Sequence, residues 1–161
     1  MAFPVGRFYE DFKIVPIAVY ASGTADRNSE VIDTAGYGGC IVIITHAAVG
    51  NSGAYDIFLA GADAASDENT LTSGANVATS SQTVADADDN TIKYIEFIPS
   101  FRYYQVTFNK DAATTYAESA IAILYNAKSR PVTQAGGSST IGDGAGAVTG
   151  EWLGLAVAGT K

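Results

Sequence analysis

The sequence predicts an all-β fold, an antiparallel β-sandwich, jelly-roll-like, of about eight strands with extended N- and C-terminal arms. Three observations predict it. Between Lys13 and Asn126, short runs of β-branched and aromatic residues alternate with breaks rich in Gly, Pro, Asn, Asp and Ser. No amphipathic helical stretch separates those runs, which argues against βαβ units and a parallel sheet. Beyond Pro131 the chain becomes Gly-rich and then apolar. The expected organisation is an arm at 1–12, a sandwich domain at 13–132 and a second arm at 133–161.

Taken in order, Phe3, Phe8, Tyr9 and Phe12 crowd the first arm, which Pro4 and Gly6 interrupt. Lys13–Ala21 is β-branched, but Pro16 cannot donate a ladder hydrogen bond, so this strand belongs at a sheet edge or carries a bulge. Glu30–Asp33 is a short strand, and Gly36-Tyr37-Gly38-Gly39 reads as a turn. Cys40–Ala47 is the most apolar run and suits a central strand. Ala54–Ala60 alternates, with Tyr55, Ile57 and Leu59 on one side.

The stretch from Ala62 to Asp89 is dominated by Ala, Ser, Thr, Asp and Asn. One helical turn is expected over 62–68, where Ala and acidic residues favour a helix start, and a weak strand near Val77–Val84. Thr91–Ile98 is a strand stopped by Pro99, and Arg102–Asn109 places Tyr104, Val106 and Phe108 on one face. Their short link predicts a hairpin. Tyr116–Asn126 is the last strand of the domain. The expected core is Ile41, Ile43, Tyr55, Ile57, Leu59, Tyr104, Val106, Phe108, Ile121 and Ile123.

Composition narrows the function. The chain is 47% hydrophobic and 16% charged over 161 residues, so a real core forms but little charge is left to cover a surface. Net charge is −8, and no Lys or Arg lies between Arg27 and Lys93. Nucleic acid and anionic membranes are therefore disfavoured partners. The single cysteine, Cys40, permits no intrachain disulfide and suits a buried role in a chain made in a reducing cytoplasm. The first dozen residues lack the apolar core of a signal peptide, and no apolar run approaches the roughly 20 residues of a membrane helix.

Catalytic patterns are sparse. His46 is the only histidine, so any nucleophile–histidine arrangement must use it, and it reads as a structural residue at a strand end. Cys40 lies six residues upstream on the same expected strand, about 20 Å away at roughly 3.3 Å per residue, which separates the two. The run Asp86-Ala87-Asp88-Asp89-Asn90 resembles part of a calcium loop but lacks the glycine and terminal glutamate of an EF-hand, so it reads as a solvated acidic turn. The glycine clusters at 136–137 and 142–146 lack the lysine and flanking elements of nucleotide-binding loops. No catalytic residue, metal site or cofactor is expected.

Three stretches, Val31–Tyr37, Ser100–Phe108 and Ala122–Val132, occur in an order that resembles small β-sandwich head proteins of tailed bacteriophages, above all the capsid decoration (cement) proteins. The resemblance covers roughly residues 13–132. It implies a non-enzymatic protein on the virion surface, made in the host bacterial cytoplasm. It further implies a homotrimer clamping neighbouring copies of the major capsid protein, with no nucleic-acid or membrane partner. The expected inter-subunit or capsid contacts are Phe3, Phe8, Tyr9, Phe12, Trp152, Leu153 and Leu155 in the two arms. The other expectation is a carbohydrate or host-receptor binding module of a tail or fibre, with Tyr37, Tyr55 and Trp152 as its aromatic platform.

Overall fold

The computed structural model describes residues 11–47, 53–67, 70–77, 80–85, 88–110 and 115–129, and the backbone of 139–141 and 148–150. The first strands are β1 (Lys13–Gly23), β2 (Arg27–Asn28), β3 (Ile32–Asp33), β4 (Tyr37–His46) and β5 (Ala54–Ala62). Short strands follow: β6 (Ala64–Asp67), β7 (Thr70–Thr72), β8 (Ala75–Asn76) and β9 (Gln82–Ala85). The domain closes with β10 (Ile92–Phe97), β11 (Tyr103–Lys110) and β12 (Tyr116–Ala127), and a hairpin of β13 (Ser139–Ile141) and β14 (Val148–Gly150) comes after it.

Two antiparallel sheets face each other. Sheet A has the order β1-β12-β4-β10. Sheet B is built on β11 and β5, with β2 and β3 along the free side of β11 and β8 and β9 along the free side of β5. Counting each of those two pairs as one interrupted edge strand, and setting the β6–β7 hairpin aside, leaves eight strands. Their sequential order is 1-8-3-6 in sheet A and 2-7-4-5 in sheet B, which is the connectivity of a jelly roll. The all-β sandwich expected from the sequence is present.

The core lies between the sheets. Sheet B contributes Tyr55, Ile57, Leu59, Val84, Tyr104, Val106 and Phe108, as its alternation requires. Sheet A contributes Ile17, Cys40, Val42, Ile44, Ile95, Ala120, Ala122 and Leu124. Here the expected phase is inverted: Ile41, Ile43, Ile121 and Ile123 point away from the core. Both faces of β4 and β12 are apolar, so periodicity cannot choose between them. The large buried Tyr104 and Phe108 of β11 fill the interior, and small Ala120 and Ala122 oppose them, so volume selects the face.

Four further expectations are corrected. Gly38 and Gly39 belong to β4, and the turn is confined to Ala35 and Gly36, the latter with φ +86°. Gly39 leaves room there for the Tyr125 ring, which lies across it from β12 and would have to move to admit a Cβ. The helical turn expected over 62–68 is instead β5 running into β6, which pairs with β7. The weak strand expected near Val77–Val84 is confined to its end, as β9 at Gln82–Ala85, paired to β5. β10 and β11 form no hairpin, since β10 pairs with β4 and β11 with β5. The Tyr104 hydroxyl stabilises that sheet-to-sheet corner by accepting hydrogen bonds from the backbone N–H groups of Ser100 (2.6 Å) and Phe101 (2.9 Å). Pro16 behaves as expected: β1 is an edge strand, and its register shifts between Pro16 and Ala18.

The inverted phase predicts opposite responses from adjacent residues of β12. Leu124→Ala should lower unfolding stability by about 2–5 kcal/mol through cavity formation. Ile123→Ala, one position away but outward-facing, should cost no more than about 1 kcal/mol. Urea denaturation of the two variants measures both, and equal losses would restore the phase read from the sequence.

Candidate assembly surface

The two outer faces of the sandwich differ in chemistry. On sheet B, the residues in register on the outside include Asn28, Asp33, Asp56, Tyr103, Thr107 and Asn109. Several are held by hydrogen bonds: Thr107 donates to Asn28 at 3.0 Å, Asp56 accepts from Thr83 at 2.7 Å, and Arg102 clamps Asp33 through two hydrogen bonds of 3.1 and 2.9 Å. Partial burial disfavours the charged Asp33 carboxylate, but the Arg102 guanidinium and the Ala35 N–H outweigh it, and its pKa falls below the usual value.

Sheet A presents the reverse. Its register aligns Pro16, Ile121, Ile43 and Tyr94 in one outward row and Ile14, Ile123, Ile41 and Glu96 in the next. Ile92 flanks the first row, beside a Thr45–Ser119 hydroxyl pair 2.6 Å apart. Tyr94 is 66% exposed, Ile92 63% and Ile121 38%. At the rim, Tyr20 and Ile98 are more than half exposed as well. In this block of the face Glu96 is the one charged residue, and it accepts a 2.8 Å hydrogen bond from the Tyr125 hydroxyl. A groove of about 310 Å³ opens where β1 bulges away from β12, lined by Pro16, Val19, Tyr20, Ile43 and Ile121. Apolar surface gathered on one sheet face in this way is the signature of a contact surface.

One end of the sandwich is polar inside. Glu118 of β12 is fully buried, and its Oε1 meets Lys110 Nζ of β11 at 2.9 Å and Arg27 Nη1 of β2 at 3.4 Å. These ion pairs run from sheet A to sheet B. His46, at the end of β4, is buried and lies in register with Glu118, and its Nδ1 is 3.1 Å from the Tyr55 hydroxyl of β5. Burial, and then the positive charge of Lys93, holds the His46 pKa below the ordinary histidine value, with Asp88 pulling the other way. Burial, then Glu118 and Tyr116, pushes the Tyr55 pKa up. His46 Nε2 and Glu118 Oε2 have no hydrogen-bond partner among the described residues. Neutral His46 and un-ionised Tyr55 act here as a hydrogen-bonded tie between sheets.

The other expected features fall as follows. Cys40 is buried in the core, and burial pushes its thiol pKa up to about 12. It stands at the opposite end of the β4 core from His46. Tyr55 is 2% exposed, so it cannot serve an aromatic sugar platform with Tyr37. Asp88 is held by Lys93 Nζ (2.8 Å) and the Ala85 N–H (3.1 Å), and no set of three or more His, Cys, Asp or Glu among the described residues is arranged to hold a metal ion. Among the described residues, no helix is long and apolar enough to cross a membrane. Of the expected contact residues, Phe12 is half-buried just before β1, while Phe3, Phe8, Tyr9, Trp152, Leu153 and Leu155 lie outside the described residues. Sequence reasoning missed the face of sheet A, although its signal was present in two neighbouring strands that are apolar at both odd and even positions.

No protein-family model matches the chain, and no curated protein matches it. A similar solved structure comes from Bacillus endospore appendages, described as disulfide-linked pili. It shares 12% sequence identity at a TM-score of 0.43, over 78% of this chain and 95% of that one. A likeness of that size carries no argument about function.

Because the folded-state pKa of His46 is depressed, the unfolded chain binds its proton more readily. Stability is therefore full above the unfolded value near 6.5 and declines as pH falls from there toward the folded pKa. Urea midpoints should drop between pH 7 and pH 5.5 in the natural chain, and His46→Gln should shrink that drop. A pH dependence identical in both proteins would remove His46 as its source.

Proposed function

We propose that the chain is a non-enzymatic structural protein that docks through the outer face of sheet A. Its resemblance to phage head proteins supports a specific form of this reading, a decoration protein that binds the outside of a capsid and stabilises it. The observation that carries the reading is the two-row apolar block of Ile14, Pro16, Ile41, Ile43, Tyr94, Ile121 and Ile123 on the outside of a sandwich whose other face mixes polar residues with Phe58 and Tyr103.

The energetics favour repeated attachment. Fully covering an exposed Ile or Tyr contributes about 1.5–3 kcal/mol, less where it is already half-covered. Association costs about 4–15 kcal/mol in lost freedom, so one such face alone gives a modest affinity. Three copies joined as a homotrimer at a local three-fold position of the shell would raise the effective concentration of each contact and slow release. The partner would be the major capsid protein, and the location the virion surface. The acidic balance suits a role outside a nucleic-acid-filled shell, since net charge −8 disfavours contact with phosphate.

The double variant Ile92→Lys with Tyr94→Lys places two charges on the face at positions that are already about two-thirds exposed, so folding should survive. Co-sedimentation with capsid shells should fall at least tenfold. The matched pair Phe58→Lys and Thr107→Lys on sheet B should bind as the natural chain does. Unimpaired sedimentation of the sheet A variant would contradict the docking surface.

A further inference from the structure

The two sheets of the sandwich have four edges, and three of them are broken up. β1 carries Pro16 and two register shifts against β12. Sheet B ends on one side in β2 and β3, of two residues each, and on the other in β8 and β9, of two and four residues. β10 closes the fourth edge and is different. Its six residues pair with β4 without a shift, and no proline or glycine interrupts them. Its one lysine, Lys93, lies on the side of the buried Ile95, where Asp88 neutralises it at 2.8 Å. An intact edge templates further pairing, which is why proteins disrupt the edges they do not use.

Two hydrogen bonds show which backbone groups this edge offers. The Thr91 carbonyl accepts from the His46 N–H of β4 at 3.3 Å, so Lys93, Ile95 and Phe97 also turn their backbone groups toward β4. The Tyr94 carbonyl accepts from Gln82 Nε2 at 3.0 Å, so Ile92, Tyr94 and Glu96 turn theirs to the other side. Among the described residues no strand pairs with that side. A carbonyl has two lone pairs, so the Gln82 contact leaves Tyr94 able to accept from a second donor. Ile92, Tyr94, Glu96 and Ile98 alternate onto the outer face of sheet A, and Ile92 and Ile98 (82% exposed) are its least covered isoleucines.

The side chains favour a second copy of this strand over a foreign one. Two β10 strands related by a two-fold axis run antiparallel, and their pairing must join residues of one face. With Ile95 opposite its own counterpart, Ile92 meets Ile98 and Tyr94 meets Glu96, each pair occurring twice. The exposed isoleucines then cover each other, and each phenol lies beside a carboxylate. Centring on Tyr94 instead would set Ile92 against the Glu96 carboxylate, and centring on Glu96 would oppose two like charges. Pro99 follows Ile98 and ends the pairing there.

We propose that β10 pairs antiparallel with β10 of a second copy, centred on Ile95, and joins two A sheets into one. The contact is two-fold, separate from the three-fold association on a shell. It carries the apolar rows of the outer face across both copies and does not depend on what that face docks onto.

Amide hydrogen exchange of the full-length chain, without capsid shells, reads the edge directly. In concentrated protein the Tyr94 and Glu96 N–H groups should exchange at least about tenfold more slowly than after dilution, as sedimentation shows dimers giving way to single copies. Ile92→Lys with Ile98→Lys sets like charges opposite each other and should abolish both the protection and the dimer. Ile92→Lys with Ile98→Glu sets opposite charges there and should keep both. Each position is more than half exposed, so folding survives either change. Three results would overturn the proposal: fast exchange at every concentration, protection that persists in a single copy, or equal behaviour of the two double variants. The second would assign the edge to a segment of the chain itself. With no shell present, none of these results bears on the docking reading.

Discussion

A two-layer sandwich buries one face of each sheet, and this chain has apolar residues on both faces of its two central sheet A strands. That single constraint organises the molecule. Tyr104, Phe108 and Tyr55 are the largest side chains that sheet B buries, and β12 turns its alanines inward and its isoleucines outward. The same choice puts Ile41 and Ile43 of β4 outside, because antiparallel register aligns them with Ile123 and Ile121. A one-residue slip of either strand would exchange the whole set. The apolar exterior is thus not an accident of scattered surface residues. It is what remains after the core has been filled.

The other determinant is the polar end of the sandwich. Glu118 on one sheet is neutralised by Lys110 and Arg27 on the other, and His46, Tyr55 and Tyr116 add hydrogen bonds across the same gap, the last to the Ala54 carbonyl. Buried ion pairs contribute little net stability, because desolvating both charges offsets most of their attraction. Their effect is selective: a one-residue slip of β12 would turn Glu118 outward and leave the buried Lys110 ammonium without its counter-charge. Register at this end and volume at the centre therefore act together to decide which face of β12 meets solvent. The loss of one edge strand's regularity at Pro16 then opens the groove, since β1 bulges where it cannot continue the ladder.

Much of this was legible in the residues. The alternation in Ala54–Ala60 and Arg102–Asn109 placed Tyr55, Ile57, Leu59, Tyr104, Val106 and Phe108 inside, where they are, because the opposite face of each strand carries polar residues, Asp56 in the first and Gln105, Thr107 and Asn109 in the second. Pro16 marked an edge because the missing N–H is a local property. The phase of β4 and β12 was not legible, since Cys-Ile-Val-Ile-Ile has no polar face to read. Nor was the strand role of Gly38 and Gly39, which face the Asn126 side chain and the Tyr125 ring arriving from β12. The β10–β11 corner failed for a similar reason: a short link can join two sheets as readily as two neighbours, and Tyr104 supplies the acceptor that makes it do so. The apolar face followed the same pattern. Four of its residues, Ile41, Ile43, Ile121 and Ile123, read as apolar and were assigned to the interior.

The central claim is that the outer face of sheet A is covered by protein when this chain does its work, whereas that of sheet B is not. Hydroxyl-radical footprinting of the assembled particle against the isolated chain addresses it residue by residue. Tyr94 and Ile92 should lose most of their reactivity on assembly while Tyr103 and Phe58 on sheet B keep theirs. Protection of sheet B with sheet A still reactive would contradict the account.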